Sequence, residues 1–408
     1  MALSDAFRWR GSNKVYSLPW MKNRLEYSSD PKRISAYART RFTRSRFVME
    51  MLTQFHLSRN SIVVSGDSHA VWLKPIFLEH LPAAEALPQI AREVMERVFS
   101  PSCSGQGERS IQVSDLLTRE LYRTMLDKVL NVTTLKPLED YIARTKFPHG
   151  SRPMLLEGVM YSFRLHVPFL RPLRYLVDSL FFKEVVYMKR VSARLEQMVC
   201  YFTIPRHGSW FSTLADLRRA GKITRTQFRG EITSMLVSSF SLASGLGSAL
   251  LCLAARPRYR KRIHDDPAFA KYFVMEVLRL YPPFRQFGYE QAAAGNGPHS
   301  SGSAAHEFMI AVVALHRNSE AWENPQKFYP ERFLAPSATG GFKYLPFGMG
   351  KRGCPGRMFS MSLIVEAIKF VCSDEFQFIL VKRDSLPKGG SGRLVSFALD
   401  DTLTYRAR

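Results

Sequence analysis

One stretch constrains this chain more than any other: Phe347-Gly348-Met349-Gly350-Lys351-Arg352-Gly353-Cys354-Pro355-Gly356, running into an apolar segment from Met358 to Val371. The pattern F-x-x-G-x-R-x-C-x-G predicts a glycine-rich loop that feeds a helix, with one cysteine at the helix mouth. A thiolate is favoured there by backbone N–H groups and the positive end of the helix dipole. Pro355 suits a first helical turn, where its missing N–H costs nothing. The glycines permit positive φ or close approach of the backbone to a flat macrocycle. Arg352 is placed to meet a carboxylate such as a haem propionate. The chemistry that uses this arrangement is thiolate ligation of haem iron, and a buried cysteine in a glycine-rich turn is the plainer alternative.

The rest of the composition narrows the partners. The chain has 408 residues, 46% of them hydrophobic, ample for a large core. Its formal net charge of +23 favours an acidic partner, such as an electron-transfer protein, or peripheral contact with an anionic membrane surface. The basic residues are scattered and form no recognition motif, so nucleic acid is not expected as a partner. Cys103, Cys200, Cys252, Cys354 and Cys372 are not spaced as a disulfide framework or a zinc site, which fits a reducing compartment. The first thirty residues are charged and broken by Gly11 and Pro19. With neither a signal peptide nor an N-terminal anchor visible there, a cytoplasmic protein is expected.

Periodicity supplies the elements. Ile232–Ala255 is uncharged for 24 residues, long enough for a membrane span. Its serines, glycines and mid-chain position favour a buried central helix, read from Gly230. Helices are predicted over Ala84–Phe99, Val113–Leu130 and Phe182–Tyr201. Strands are predicted at Ser61–Gly66, at Glu307–Ala314 and in the C-terminal stretch containing Phe376–Val381, and a flexible loop over Ala292–Ala304. Met154–Phe182 is apolar with interleaved arginines. Gly245-Leu246-Gly247 has no strand before it, so no nucleotide-binding fingerprint is present. Glu276-Val277-Leu278-Arg279 places a carboxylate and a guanidinium on one helix face, followed by Tyr281-Pro282-Pro283 and then by Pro330-Glu331-Arg332-Phe333.

These motifs, in this order before Cys354, resemble those of the cytochrome P-450 superfamily. The resemblance runs from about Gly66 to the C-terminus and is strongest from Gly230. It implies one mostly α domain over 1–408 with a small β region, its first 65 residues short and divergent, so that part of the small sheet is missing or rebuilt. It implies haem b between the central helix and the cysteine helix. Cys354 becomes the axial ligand, and Phe347, Gly348, Gly350, Arg352 and Gly356 become haem contacts. His69 and Lys74 lie where the family clamps a propionate, although the usual arginine there is missing. Arg285 is the candidate for the second propionate, because the gapless position carries Tyr289. Glu276, Arg279 and Arg332 become a structural network behind the haem. Met154–Phe182 becomes the lid of a substrate channel, and the loop at 292–304 replaces a short hairpin.

On the central helix, Ser241 falls where the oxygen-activating alcohol sits, Phe240 where the acid sits, and Ser238 at the usual glycine. The implied activity is oxidation of a small apolar organic substrate by O2, with electrons from a separate ferredoxin- or flavodoxin-like donor or a reductase. By analogy alone, the setting is natural-product biosynthesis. Phenylalanine cannot relay a proton. A peroxide-dependent or rearranging haem–thiolate enzyme, or a non-catalytic haem protein, therefore stands beside the oxygenase.

Overall fold

The computed structural model describes residues 14–17, 24–40, 42–44, 67–99, 108–145, 183–291, 306–381 and 402–407. The strand expected at Ser61–Gly66, the stretch 154–182 and the loop at 292–304 lie outside the described residues.

Helices dominate, in the order α1 (Pro31–Ala38), α2 (Asp67–Leu78), α3 (Leu87–Val98), α4 (Val113–Thr124), α5 (Lys136–Arg144), α6 (Lys183–Tyr201), α7 (Trp210–Arg219), α8 (Arg225–Ala254), α9 (Pro257–Asp265), α10 (Ala270–Leu280), α11 (Val312–Leu315) and α12 (Arg357–Cys372). The helices expected from periodicity are present with small shifts. A short 3-10 turn precedes α3, and α4 continues as a π-helical turn over Met125–Val129.

The central helix α8 starts at Arg225, earlier than its uncharged run. Thr224 and Gln227 form a capping box there, the Gln227 N–H donating to Thr224 Oγ1 at 3.2 Å and the Thr224 N–H to Gln227 Oε1 at 2.8 Å. Among the described residues this is the one helix long and apolar enough to cross a membrane, and 81% of its most apolar window is buried in protein. It is a core helix, and its glycines show how tightly it is held. A Cβ at Gly245 would lie 3.1 Å from Ile364 on α12, and one at Gly247 would lie 3.3 Å from Val113 on α4.

α3 packs on α12, and both bury one stripe at helical spacing: Ile90, Val94 and Val98 on the first, Ile364, Ile368 and Val371 on the second. Each such side chain contributes roughly 1.5–3 kcal/mol when fully buried.

The sheets hold the periphery. A five-stranded sheet has the order β1 (Lys14–Ser17), β2 (Arg24–Ser28), β8 (His306–Ala311), β7 (Gln286–Gln291), β3 (Phe42–Arg44). Only the β2–β8 pair is parallel. The N-terminal region therefore supplies three of five strands, so of the two expected outcomes, a missing or a rebuilt part of the sheet, strands are present. β7 and β8 pair antiparallel, and the loop at 292–304 expected to replace a short hairpin lies outside the described residues.

The second sheet, β4 (Arg109–Gln112), β10 (Thr402–Ala407), β9 (Phe378–Val381), packs Tyr405 edge-on against Phe99 and Phe378. A two-stranded piece, β5 (Val132–Thr134) and β6 (Thr203–Pro205), joins the end of α6 to the segment after α4.

Candidate functional site

The loop before α12 is closed by its own backbone. The Cys354 N–H donates to the Phe347 carbonyl at 2.9 Å, and the Gly353 N–H to the Gly350 carbonyl at 3.0 Å. Gly348 and Gly350 have φ of +73° and +61°, the left-handed region that favours glycine. The cause of the crowding differs from the expected macrocycle. A Cβ at Gly350 would lie 2.8 Å from Phe42, and one at Gly348 would lie 3.2 Å from the Tyr289 hydroxyl. α12 begins at Arg357 with Gly356 as its cap, and the Ser360 N–H donates to the Gly356 carbonyl at 2.8 Å. Pro355 thus lies just before the first turn rather than in it. Cys354 is exposed at the helix mouth, whereas Cys252 and Cys372 are buried.

Three side chains from other elements hold the loop. Lys74 of α2 donates from Nζ to the Gly353 carbonyl, 3.4 Å away and next to the thiol. Tyr289 of β7 accepts the Met349 N–H at 3.1 Å. His316, just past α11, accepts the Leu345 N–H on Nε2 at 2.9 Å, and its Nδ1 lies 3.0 Å from the Arg279 carbonyl. This pairing fixes a neutral imidazole protonated on Nδ1. Burial is the largest cause holding its pKa down to about 3, and the neighbouring Arg279 cation adds to it. Tyr289 and His316 were not assigned this role from the sequence.

Glu276, Arg279 and Arg332 come together as expected. Arg279 donates to both Glu276 oxygens, at 2.7 and 2.9 Å, with both side chains 0% exposed. Its remaining donors reach the carbonyls of Pro325 (2.8 Å) and Lys327 (3.2 Å), while Arg332 Nε lies 3.3 Å from Glu276 and its Nη1 donates to the Glu323 carbonyl at 2.8 Å. The planar five-donor guanidinium suits such bidentate and carbonyl contacts. This cluster knots α10 to the segment before the cysteine loop, and His316 joins the two.

The expected propionate clamp is arranged differently. His69 Nε2 lies 3.2 Å from the buried Glu231 carboxylate on α8, and its Nδ1 is 3.3 Å from Gln227 Nε2. It therefore ties α2 to the central helix. Arg285 and Arg352 are both buried, 4% and 6% exposed. On α8, the Ser241 hydroxyl donates to the Ser238 carbonyl at 2.8 Å, and the Ser238 hydroxyl to the Met235 carbonyl at 2.6 Å. The Phe240 ring packs edge-on against Tyr122 of α4, centroids 5.7 Å apart, so it belongs to the helix interface.

Haem fits these donors. Among the described residues no three His, Cys, Asp or Glu side chains converge into a metal-ligand set. A single exposed thiol would suit an iron whose remaining protein-independent donors come from a macrocycle, and Lys74 lies beside the loop.

Comparison with known proteins gives the same direction. The family described as Cytochrome P450 matches residues 268–368. Taurochenodeoxycholic 6 alpha-hydroxylase of Sus scrofa is 28% identical over 168 residues, 36% of this chain and 33% of that protein. Cytochrome P450 4A11 of Homo sapiens is 29% identical over 169 residues, 36% of this chain and 33% of that protein. Cytochrome P450 4B1 of Rattus norvegicus is 28% identical over 202 residues, 43% of this chain and 39% of that protein. The matched part thus spans only about a third of the length of these relatives. The matches also overturn the cytoplasmic location expected from the sequence, because the family-4 enzymes they name are membrane-bound proteins of the endoplasmic reticulum. The buried Glu276–Arg279–Arg332 knot and the thiol loop both lie within residues 268–368, the part of this chain that is similar to the cytochrome P-450 superfamily.

Proposed function

We propose that this chain is a haem–thiolate monooxygenase that hydroxylates an apolar organic substrate with O2 and electrons from a separate donor protein. One observation carries the reading: Cys354, exposed at the mouth of α12, sits in a loop held from three sides by Lys74, Tyr289 and His316.

Haem b held by Cys354 would supply the oxidising chemistry, the thiolate pushing electron density onto the iron. The chain's own residues do the rest. Lys74 and the α12 N-terminus stabilise negative charge at the thiol. Lys74 and Arg352 would hold one of the macrocycle's carboxylates, and Arg285 the second. Ser241 offers hydroxyl lone pairs to a water on the central helix. The hydroxylase named among the relatives supports insertion of oxygen into an unactivated C–H bond of a largely apolar molecule.

Phe240 favours a second reading, peroxide-driven or non-oxygenating turnover, because a ring packed on Tyr122 supplies no proton. The ferrous carbon monoxide spectrum of the purified protein tests the ligand, and a strongly red-shifted Soret band is expected. Product formation with NADPH and redox proteins, compared with peroxide alone, then separates the readings. Turnover only with the reductase system supports the monooxygenase, and turnover only with peroxide refutes it.

A further inference from the structure

The cysteine loop rests on an aromatic ledge built by two strands. Tyr289 on β7 is 2% exposed and stands edge-on to Phe42 of β3, with centroids 5.1 Å apart and planes at 78°. Its hydroxyl accepts the N–H of Met349, itself 4% exposed. The glycines on either side of Met349 have left-handed backbone, and each lies too close to this ledge to carry a Cβ at ordinary contact distance. Position 289 is also where the family resemblance calls for a cation facing a haem carboxylate. A neutral tyrosine brings no positive charge to that position.

We infer that Tyr289 is a positioning residue for Cys354, holding the loop through Met349 and coupling the thiol to the N-terminal strand β3. The inference rests on the haem–thiolate reading of the site. The physical reason is local. Phe347 and Cys354 close the loop on each other by a backbone bond, and Met349 lies inside that closure. If the buried Met349 N–H loses its acceptor, it regains one only by moving the loop. Such a movement displaces the Phe347 carbonyl and the Cys354 N–H together, and with them the angle at which the sulfur leaves the helix mouth.

The test is Tyr289→Phe in the full chain, which removes one oxygen and keeps the ring against Phe42. In the haem-loaded protein, the ferrous carbon monoxide spectrum is followed against pH, reading the ratio of thiolate-type to neutral-thiol-type Soret bands. A shift of about tenfold toward the neutral form is expected, the factor for one buried donor left without its acceptor. In the haem-free protein, the rate of Cys354 alkylation by iodoacetamide, read by peptide mass mapping, should rise severalfold.

Tyr259→Phe is the matched control. It removes a hydroxyl that accepts from Arg258 at 3.1 Å on α9, away from the loop, and should leave both readouts at wild-type values. Phe42→Leu keeps the hydroxyl but loosens the ring, and should fall between wild type and Tyr289→Phe. Wild-type spectra and alkylation rates in Tyr289→Phe overturn the inference. Should wild type itself show no thiolate band, the haem–thiolate reading fails, and the alkylation rates alone decide whether Tyr289 fixes the loop.

Discussion

Glu276 is the centre of the buried charge cluster, and Glu276→Gln perturbs it with little change of shape. The carboxylate accepts from Arg279 at 2.7 and 2.9 Å, from the Tyr329 N–H at 2.8 Å and from Arg332 at 3.3 Å. The amide can still accept from Tyr329, but it carries no charge and turns an NH2 group toward a guanidinium. Removing one partner of a buried pair costs about 3–5 kcal/mol. An exposed i,i+4 pair such as Arg92–Glu96 contributes only about 0.3–0.5 kcal/mol. Unfolding entropy of about 2.1 cal/mol/K per residue, over 408 residues, turns the larger cost into a melting decrease of about 4–6 °C. The surface control Glu96→Gln should lose less than about 1 °C by the same conversion. Calorimetry on both variants checks this. The double variant Glu276→Leu with Arg279→Leu should lose less than the two single changes added together, because neither charge is stranded. A Glu276→Gln protein that melts within about 1 °C of wild type would refute the claim that the cluster holds α10 to the cysteine-loop segment.

His316 titrates near 3 in the fold against an ordinary 6.5, so the unfolded chain binds its proton first as pH falls. Stability should drop below about pH 6.5 by roughly 1.4 kcal/mol per pH unit, and melting curves of His316→Gln should lack that part of the slope; equal slopes would show that the imidazole is not held neutral. Gly350→Ala should destabilise by about 1–2 kcal/mol from its left-handed backbone alone, with more from overlap with Phe42. A second change, Phe42→Leu, should restore only the overlap part in urea titrations, and full restoration would argue against backbone strain. Phe240→Asp, meant to return an acid to the central helix, should instead cost about 3 kcal/mol or more by setting a carboxylate against the buried Tyr122. Its melting point should fall with no gain in product formed per O2 consumed, and a gain at unchanged stability would contradict the packing seen here.

The parts of the molecule that were legible in the sequence are those whose signals are local. The stripes on α3 and α12 repeat every three or four residues. The uncharged length of α8 is one continuous run, and Glu276 and Arg279 share a helix face. The parts that were not legible depend on partners far away. Tyr289 meets Met349 across 60 residues, His316 meets Leu345 across 29, and His69 meets Glu231 across 162. The parallel pairing of β2 with β8 has no turn to announce it, which is why the N-terminal region looked too short to complete a sheet. His69 was correctly placed on a helix near the site, but the histidine alone could not reveal a carboxylate waiting on α8.

The same distinction explains the central helix. From the sequence, Phe240 is a lost acid, and the natural inference is a broken proton path. In the structure, residue 240 faces α4, where a ring edge-on to Tyr122 fills the interface. The neighbouring Ser241 keeps its hydroxyl, but the single proton is committed to the Ser238 carbonyl. In that rotamer Ser241 can accept from a water and cannot donate to one. To donate, it must turn about χ1 and release a bond worth roughly 1 kcal/mol net. That is a small cost beside any chemical barrier, so the hydroxyl can alternate between holding a water and giving it a proton. On the proposed monooxygenase reading, proton supply from Ser241 turns on how readily the serine leaves its own backbone, and the phenylalanine beside it fixes the helix against α4 while it does so.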